Sequence, residues 1–196
     1  MIAIAFAILP PPQGPNRAIA LSAALPADES QGLLLGAVYL PHITLTQQFV
    51  LSESLEPLLA QIDRILRDRA PLRLRAIGGA KGSNNSVWMS IQRSPQLVSL
   101  HEQLLQVVEP FEVTTGASSA FFDDDARDSD VRWVREFRHQ SSFDRFTPHI
   151  TLGHASEPPV IEPTAFAATT IAVCHLGRFC TCRRVVRAWD LDADIE

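Results

Sequence analysis

Several things are scarce in this sequence, and each scarcity removes a class of protein. Cysteine occurs three times, at Cys174, Cys180 and Cys182, all near one end. An odd, clustered count is not a secreted disulfide framework, so the expectation is a cytoplasmic protein with buried structural thiols. No zinc spacing is formed by these cysteines with His175. Long apolar runs are missing too. The stretch Met1–Leu9 falls well short of the ~20 residues that cross a bilayer, and no cation precedes Arg17. It is expected to be a buried strand stopped by Pro10, Pro11 and Pro12, with no role as a signal peptide and no membrane partner.

Basic charge is in deficit, with 17 Lys and Arg against 22 Asp and Glu. Proteins that wrap long nucleic acid carry a broad cationic surface, and the totals give no sign of one. The arginines do cluster, as Arg67, Arg69, Arg73 and Arg75 with Lys81, and as Arg178, Arg183, Arg184 and Arg187. Such groups suit a small anionic ligand or an RNA end, and equally a solvated face. Motifs of several enzyme classes are also absent. There is no G-x-S-x-G elbow for a serine hydrolase. Gly78-Gly79 and Gly14-Pro15 form neither a phosphate loop nor a dinucleotide fingerprint. The Asp123–Asp130 run lacks the glycine and terminal glutamate of the common calcium loop. No metal and no cofactor is therefore expected.

What is present is an ordinary globular balance: 196 residues, 46% hydrophobic and 20% charged. That length can bury a core without disulfides, and a single domain spanning 1–196, monomeric and without an obligate protein partner, is expected. Ala18–Leu25 reads as a strand and Pro26–Gly32 as a polar loop. Pro41–Val50 alternates as a strand, and Ser52 or Ser54 opens a helix running to about Arg69. Leu72–Ile77 and Val87–Ile91 form a strand pair joined by the turn-rich 78–85 stretch. Pro95 opens a second helix with Leu97, Leu100, Leu104, Leu105 and Val108 on its buried side. Thr114–Asp130 reads as an exposed loop, Val131–Phe137 as a strand, and Thr169–His175 with Thr181–Trp189 as a final strand pair turning at Gly177. His101 and His139 are expected at surface or capping positions. Trp88, Phe143 and Phe146 are candidates to stack on a base, with core packing the preferred reading for Trp88.

One repeat stands out. Pro41–Leu45 and Pro148–Leu152 are the same pentapeptide, PHITL. Chance produces such a pair on the order of once in a hundred chains of this size. On a strand, residues i and i+2 share a face at a separation of roughly 6.5–7 Å. His42 and Thr44 therefore project together while Ile43 and Leu45 turn to the core, and His149 and Thr151 repeat the arrangement. Histidine is the side chain that either accepts or donates a proton near neutral pH. Threonine hydroxyls donate to phosphate oxygens, whereas they are poor zinc ligands. Two imidazoles and two hydroxyls around one cleft suit acid/base chemistry at a phosphodiester.

With these motifs the sequence resembles the two-histidine (2H) phosphoesterase superfamily and, within it, the 2′-5′ RNA ligase-like proteins. The resemblance rests on His42-Ile43-Thr44-Leu45 and on Pro148-His149-Ile150-Thr151-Leu152-Gly153, and it extends roughly from Ala18 to Trp189. It implies an α+β fold of two lobes related by a pseudo-twofold, with two mainly antiparallel sheets, outer helices and a central cleft. It further implies metal-independent action on 2′,3′-cyclic phosphates or related 2′-linked diesters, in small nucleotides or at RNA ends. His42 and His149 would then be the acid/base pair, and Thr44 and Thr151 the phosphate-holding hydroxyls. The sequence departs from many relatives at His154, where they carry arginine or lysine. Five residues beyond His149, His154 is expected to face away from it on a regular strand. Two other readings stand beside this one: a nucleotide- or RNA-end-binding module with little chemistry, and a metallohydrolase.

Overall fold

The small and branched apolar residues that open the chain do form a strand. β1 (Ile2–Leu9) is fully buried from Ala3 to Ile8. In this computed structural model, residues 1–11, 13–82 and 84–191 are described, with 13–16 known in backbone only. Pro12 of the triple proline, Ser83 of the expected 78–85 turn and the last residues of the expected domain, 192–196, lie outside that description.

The next segment corrects the sequence reading. Ala18–Leu25 belongs mostly to a helix, α1 (Gln13–Ala23), and not to a strand. Alanine counts as apolar on either face, so its runs mimic alternation, yet it is the strongest helix former. Ala18 and Ser22, four apart, are the buried pair that faces the fold. β2 (Ile43–Val50) then carries the first motif, and α2 (Leu55–Leu66) buries Leu58, Leu59, Ile62 and Leu66. α2 stops three residues short of the expected Arg69, where Asp68 takes a positive φ of 57°.

β3 (Leu72–Lys81) buries Leu72, Leu74 and Ala76 as the alternation requires. It runs on through the two glycines, so the turn before β4 (Ser86–Ile91) is shorter than expected. α3 (Pro95–Val108) starts at Pro95 behind Ser94, whose hydroxyl accepts from the Leu97 amide at 3.3 Å. A two-residue strand, β5 (Glu112–Val113), comes next.

A second correction concerns the acidic loop and the segment after it. Asp130 is buried, and Ala120 and Phe121 pack in the core. Val131–Phe137 lies inside a helix, α4 (Asp128–Ser141). Val131, Val134 and Phe137 are three apart, which is helical spacing. Asp128 and Asp130 in the first turn and Arg138 in the last suit the helix dipole. The chain ends with β6 (His149–His154), β7 (Thr164–Ala168), β8 (Thr170–Gly177) and β9 (Thr181–Asp190). β5 and β7 have no counterpart among the expected elements.

Among the described residues every strand pairing is antiparallel. One sheet has the order β5-β2-β1-β8-β9 and the other β6-β4-β3-β7. Ile4, Phe6, Ile8, Ile43, Leu45 and Val173 from the first sheet share one apolar cluster with Leu74, Val87, Met89, Ile150 and Leu152 from the second, closed by α2 and α3. We call this side of both sheets the back. Each large side chain fully buried there contributes ~1.5–3 kcal/mol. On the front of the first sheet, Ala3, Ala5, Ala7 and Phe49 pack against Phe121 and Val134 of the α4 region. Among the described residues no helix is long and apolar enough to cross a membrane.

Gly79 marks a close approach between chain segments. A Cβ there would lie 2.1 Å from the Pro159 carbonyl oxygen, whereas one at Gly36 would meet nothing within 4 Å. Gly79→Ala should therefore lower stability by ~1–3 kcal/mol, and Gly36→Ala by no more than ~0.5 kcal/mol. Urea denaturation of the two variants checks the contrast.

Candidate active site

The repeated pentapeptide folds twice into the same unusual strand. Along β1 and β2 the partners are Phe6 with Thr46 and Ala7 with Thr44, so Leu45 is skipped. Along β4 and β6 they are Val87 with Gly153 and Trp88 with Thr151, so Leu152 is skipped. Each motif thus carries a β-bulge at its leucine. Opposed residues in an antiparallel pair share a face, and an extra residue reverses the alternation beyond it. Thr44 and Gln47 consequently share the front of β2, and Thr151 and His154 the front of β6. Thr46, which plain alternation along 41–50 would put beside Thr44, is instead turned to the back opposite Phe6. His154, expected to face away from His149, shares its face. No local sequence signal marks these bulges, although Gly153 has a φ of 150° and a Cβ there would lie 3.3 Å from the Leu33 carbonyl oxygen.

A bulged residue loses its place in the ladder, so its carbonyl needs another donor. Two helices supply one each. The Ser22 hydroxyl in α1 donates to the Leu152 carbonyl at 2.6 Å and accepts from the Leu35 amide at 3.0 Å. The fully buried His101 in α3 donates from Nδ1 to the Leu45 carbonyl at 2.6 Å. Its Nε2 accepts the Phe143 amide at 3.0 Å, and its ring stacks on Phe146 with centroids 3.9 Å apart. His101 is therefore an interior bridge from the first motif to the approach of the second, and not the surface or capping residue expected. His139 is exposed.

The two motif histidines are held alike. Nδ1 of His42 lies 2.7 Å from the Leu40 carbonyl, and Nδ1 of His149 lies 2.7 Å from the Thr147 carbonyl. A carbonyl only accepts, so both rings carry their proton on Nδ1 and leave the Nε2 lone pair free when neutral. His42 is 7% exposed, and burial pushes its pKa down to about 4, with the charge of His149 adding to the effect. His149 is half-buried and also lowered, chiefly by loss of solvent. The charge of His149 thus reaches His42, and β2 and β6 come into contact.

Trp88, expected in the core, stands opposite Thr151 with its ring centroid 5.2 Å from that of His149. Phe143 is exposed and Phe146 buried against His101. The three cysteines are free and buried, and burial pushes the Cys180 and Cys182 thiols up, as suits structural residues.

Sequence reasoning placed the β8–β9 turn at Gly177 but gave no role to the two residues that shape it, Phe179 and Cys180. Phe179 and Cys180 both have positive φ, 65° and 54°, an uncommon state for residues with a Cβ. Asp130 accepts the Phe179 amide at 3.2 Å, and Gln47 donates to the Cys180 carbonyl at 2.9 Å from the front of β2. So held, Phe179 has Arg127 at 4.3 Å, His154 at 5.6 Å and Tyr39 at 6.1 Å from its ring. His154 also lines a cavity with Ser22, Leu25, Ser30, Leu33 and Leu34. A second cavity, between Asp63, Arg67 and Trp189, includes no motif residue.

Residues 36–175 match the profile of the 2′-5′ RNA ligase superfamily. Among solved structures, Escherichia coli LigT complexed with NADP+ is similar at 20% identity, with 97% of this chain and 98% of that one covered and a TM-score of 0.64. The same LigT complexed with 3′-AMP matches at 21% identity over 97% and 98% of the two chains, with a TM-score of 0.63. TT0787 of Thermus thermophilus matches at 18% identity over 97% and 98%, with a TM-score of 0.64. No curated protein matches the sequence.

Two expectations arise from this geometry. Removing the Ser22 hydroxyl with Ser22→Ala strands both the Leu152 carbonyl and the Leu35 amide, and should cost ~1–3 kcal/mol in urea unfolding. Five of the six histidines, His42, His101, His149, His154 and His175, have pKa values below the usual 6.5 because they are buried. Below pH 6.5 the unfolded chain binds protons that the folded one refuses, so stability is present at neutral pH and lost as pH falls. The urea midpoint should drop between pH 7 and pH 5, and a flat midpoint would contradict this.

Proposed function

The chain belongs to the 2′-5′ RNA ligase superfamily of two-histidine phosphoesterases, and on that premise we propose that it hydrolyses 2′,3′-cyclic phosphates of nucleotides or RNA ends with His42 and His149 as the acid/base pair. The observation that carries this reading is the duplicated, bulged PHITL strand. Each copy has its Nδ1 tied to a carbonyl two residues back, which leaves two Nε2 atoms for chemistry. The nucleotides held by E. coli LigT support a nucleotide ligand here.

In this mechanism Thr44 and Thr151 donate hydrogen bonds to the non-bridging oxygens of one phosphate. His42, the more buried and more easily neutral ring, takes the proton of an attacking water through Nε2. A new oxygen–phosphorus bond forms as the bond to one ribose oxygen breaks. His149, less buried, gives its proton to that leaving oxygen. The roles exchange in the reverse, joining direction. Each Nδ1–carbonyl bond fixes the ring and stabilises the imidazolium that forms.

Hydrolysis of a nucleoside 2′,3′-cyclic phosphate should persist in EDTA, and His42→Ala or His149→Ala should lower kcat by ~10²–10⁴-fold. Two variants at near-parental rates would rule the mechanism out. A neutral His42 requires a pH above about 4, and a protonated His149 requires a pH below its own lowered value, which lies under 6.5. The optimum of kcat/KM should therefore fall on the acid side of pH 6.5, and a plateau extending past pH 8 would contradict a histidine acid. Tight nucleotide binding by calorimetry with no turnover would indicate a binding module instead.

A further inference from the structure

The strand that carries each motif is duplicated, but what stands beside it is not. Across the ladder from Thr44 is Ala7, and across from Thr151 is Trp88. The two threonines are equivalent positions of the repeat, so a methyl group and an indole occupy matching places. The Trp88 and His149 rings have centroids 5.2 Å apart and planes tilted by 43°. Among the described residues no aromatic ring makes such a contact with His42.

We propose that Trp88 is a positioning residue for the acid: its π face stabilises the imidazolium form of His149 and makes the two halves of the repeat chemically unequal. This rests on the acid/base reading of the histidine pair and adds to it the group that keeps the acid charged.

Three observations carry the assignment. A cation within about 6 Å of an aromatic centroid is attracted by the ring quadrupole, most strongly by indole, and the Trp88–His149 separation is inside that distance. The indole is also confined. A Cβ on Gly82, in the turn before β4, would lie 3.0 Å from Cζ3 of the ring, so glycine there leaves it its space. Finally, no carboxylate takes the same part. β4 faces His149 with Ser90 and Trp88, and β2 with His42. Arg17 of α1, which also packs on β6, turns to the Glu162 carbonyl at 2.9 Å. Asp144 and Arg145, on the approach to β6, are exposed, and Arg93 donates to the Phe143 carbonyl at 2.9 Å. Burial lowers the pKa of both motif histidines, which favours a base and handicaps an acid. The indole offsets part of that loss at His149, and the charge it holds there lowers His42 in turn. One ring thus favours opposite states in the two imidazoles.

The test replaces Trp88, through a recoded codon, with mono-, di- and tetrafluorotryptophan. Fluorine withdraws charge from the π face with little change in size. NMR titration of the histidine ring carbons in the free protein should show the His149 pKa falling stepwise, by ~0.5 over the series. His149→Gln assigns the signal by its loss. The alkaline limb of kcat/KM on cytidine 2′,3′-cyclic phosphate should move to lower pH by the same steps. Trp88→Phe and Trp88→Leu, alike in size but not in π face, give the same comparison if the fluorinated chains fold poorly, with the higher His149 pKa expected in Trp88→Phe. A His149 pKa that stays flat or rises with fluorination overturns the proposal. A flat pKa with altered affinity for 3′-AMP overturns it too, since Trp88 would then be a platform for the base. The NMR titration needs no turnover. If the pKa falls as expected and no cyclic phosphate is hydrolysed, the indole–imidazolium contact stands and the hydrolytic reading falls. If hydrolysis proceeds while the pKa stays flat, the reverse holds.

Discussion

Everything at the cleft depends on two skipped residues, Leu45 and Leu152. A strand that gains one residue turns its later side chains to the opposite face. Here that reversal keeps the leucine in the core and brings the position three beyond each threonine, Gln47 or His154, to the front. The bulged carbonyls could not stay buried without donors, and His101 and Ser22 meet that need from two different helices. The backbone beside each catalytic candidate is thus set by a single hydrogen bond of 2.6 Å from outside its own sheet.

That symmetry of backbone is filled with unlike chemistry. Gln47 and His154 occupy matching places, yet Gln47 donates to the Cys180 carbonyl while the buried Nδ1 of His154 has no partner among the described residues. Ser22 is a small hydroxyl at the end of a helix, whereas His101 spans from the Leu45 carbonyl to the Phe143 amide and so touches the approaches to both motifs. The front of β2 is therefore tied into the β8–β9 turn by a hydrogen bond, and the front of β6 meets that turn through the His154 and Phe179 rings.

Burial governs the electrostatics as well. The interior holds several imidazoles in their neutral state, and a neutral ring with Nδ1–H on a carbonyl offers only its Nε2 lone pair. For His101 this state is structural, since it must donate at one nitrogen and accept at the other. For His42 and His149 it leaves the outer nitrogen without a hydrogen bond among the described residues. The same loss of solvent therefore acts on a packed ring in one place and on two rings with an outward nitrogen in another.

Much of this was legible in the chain itself. Two identical pentapeptides named the four front-facing side chains, and the fold of two antiparallel sheets with helices followed from their resemblance to a known superfamily. The second leucine-rich helix could be read from periodicity, the buried N-terminal strand from a short apolar run stopped by prolines, and the last strand pair from the turn at Gly177, because those patterns are local. Ala18–Leu25 and Val131–Phe137 could not, since short runs of alanine or valine fit either period until a neighbour selects the buried face. The sequence by itself determined which residues recur as a pair. Only the tertiary structure decided which face each later residue takes, because a bulge is set by pairing with a distant strand and by donors such as Ser22 and His101 from other helices, and no stretch of neighbouring residues records either.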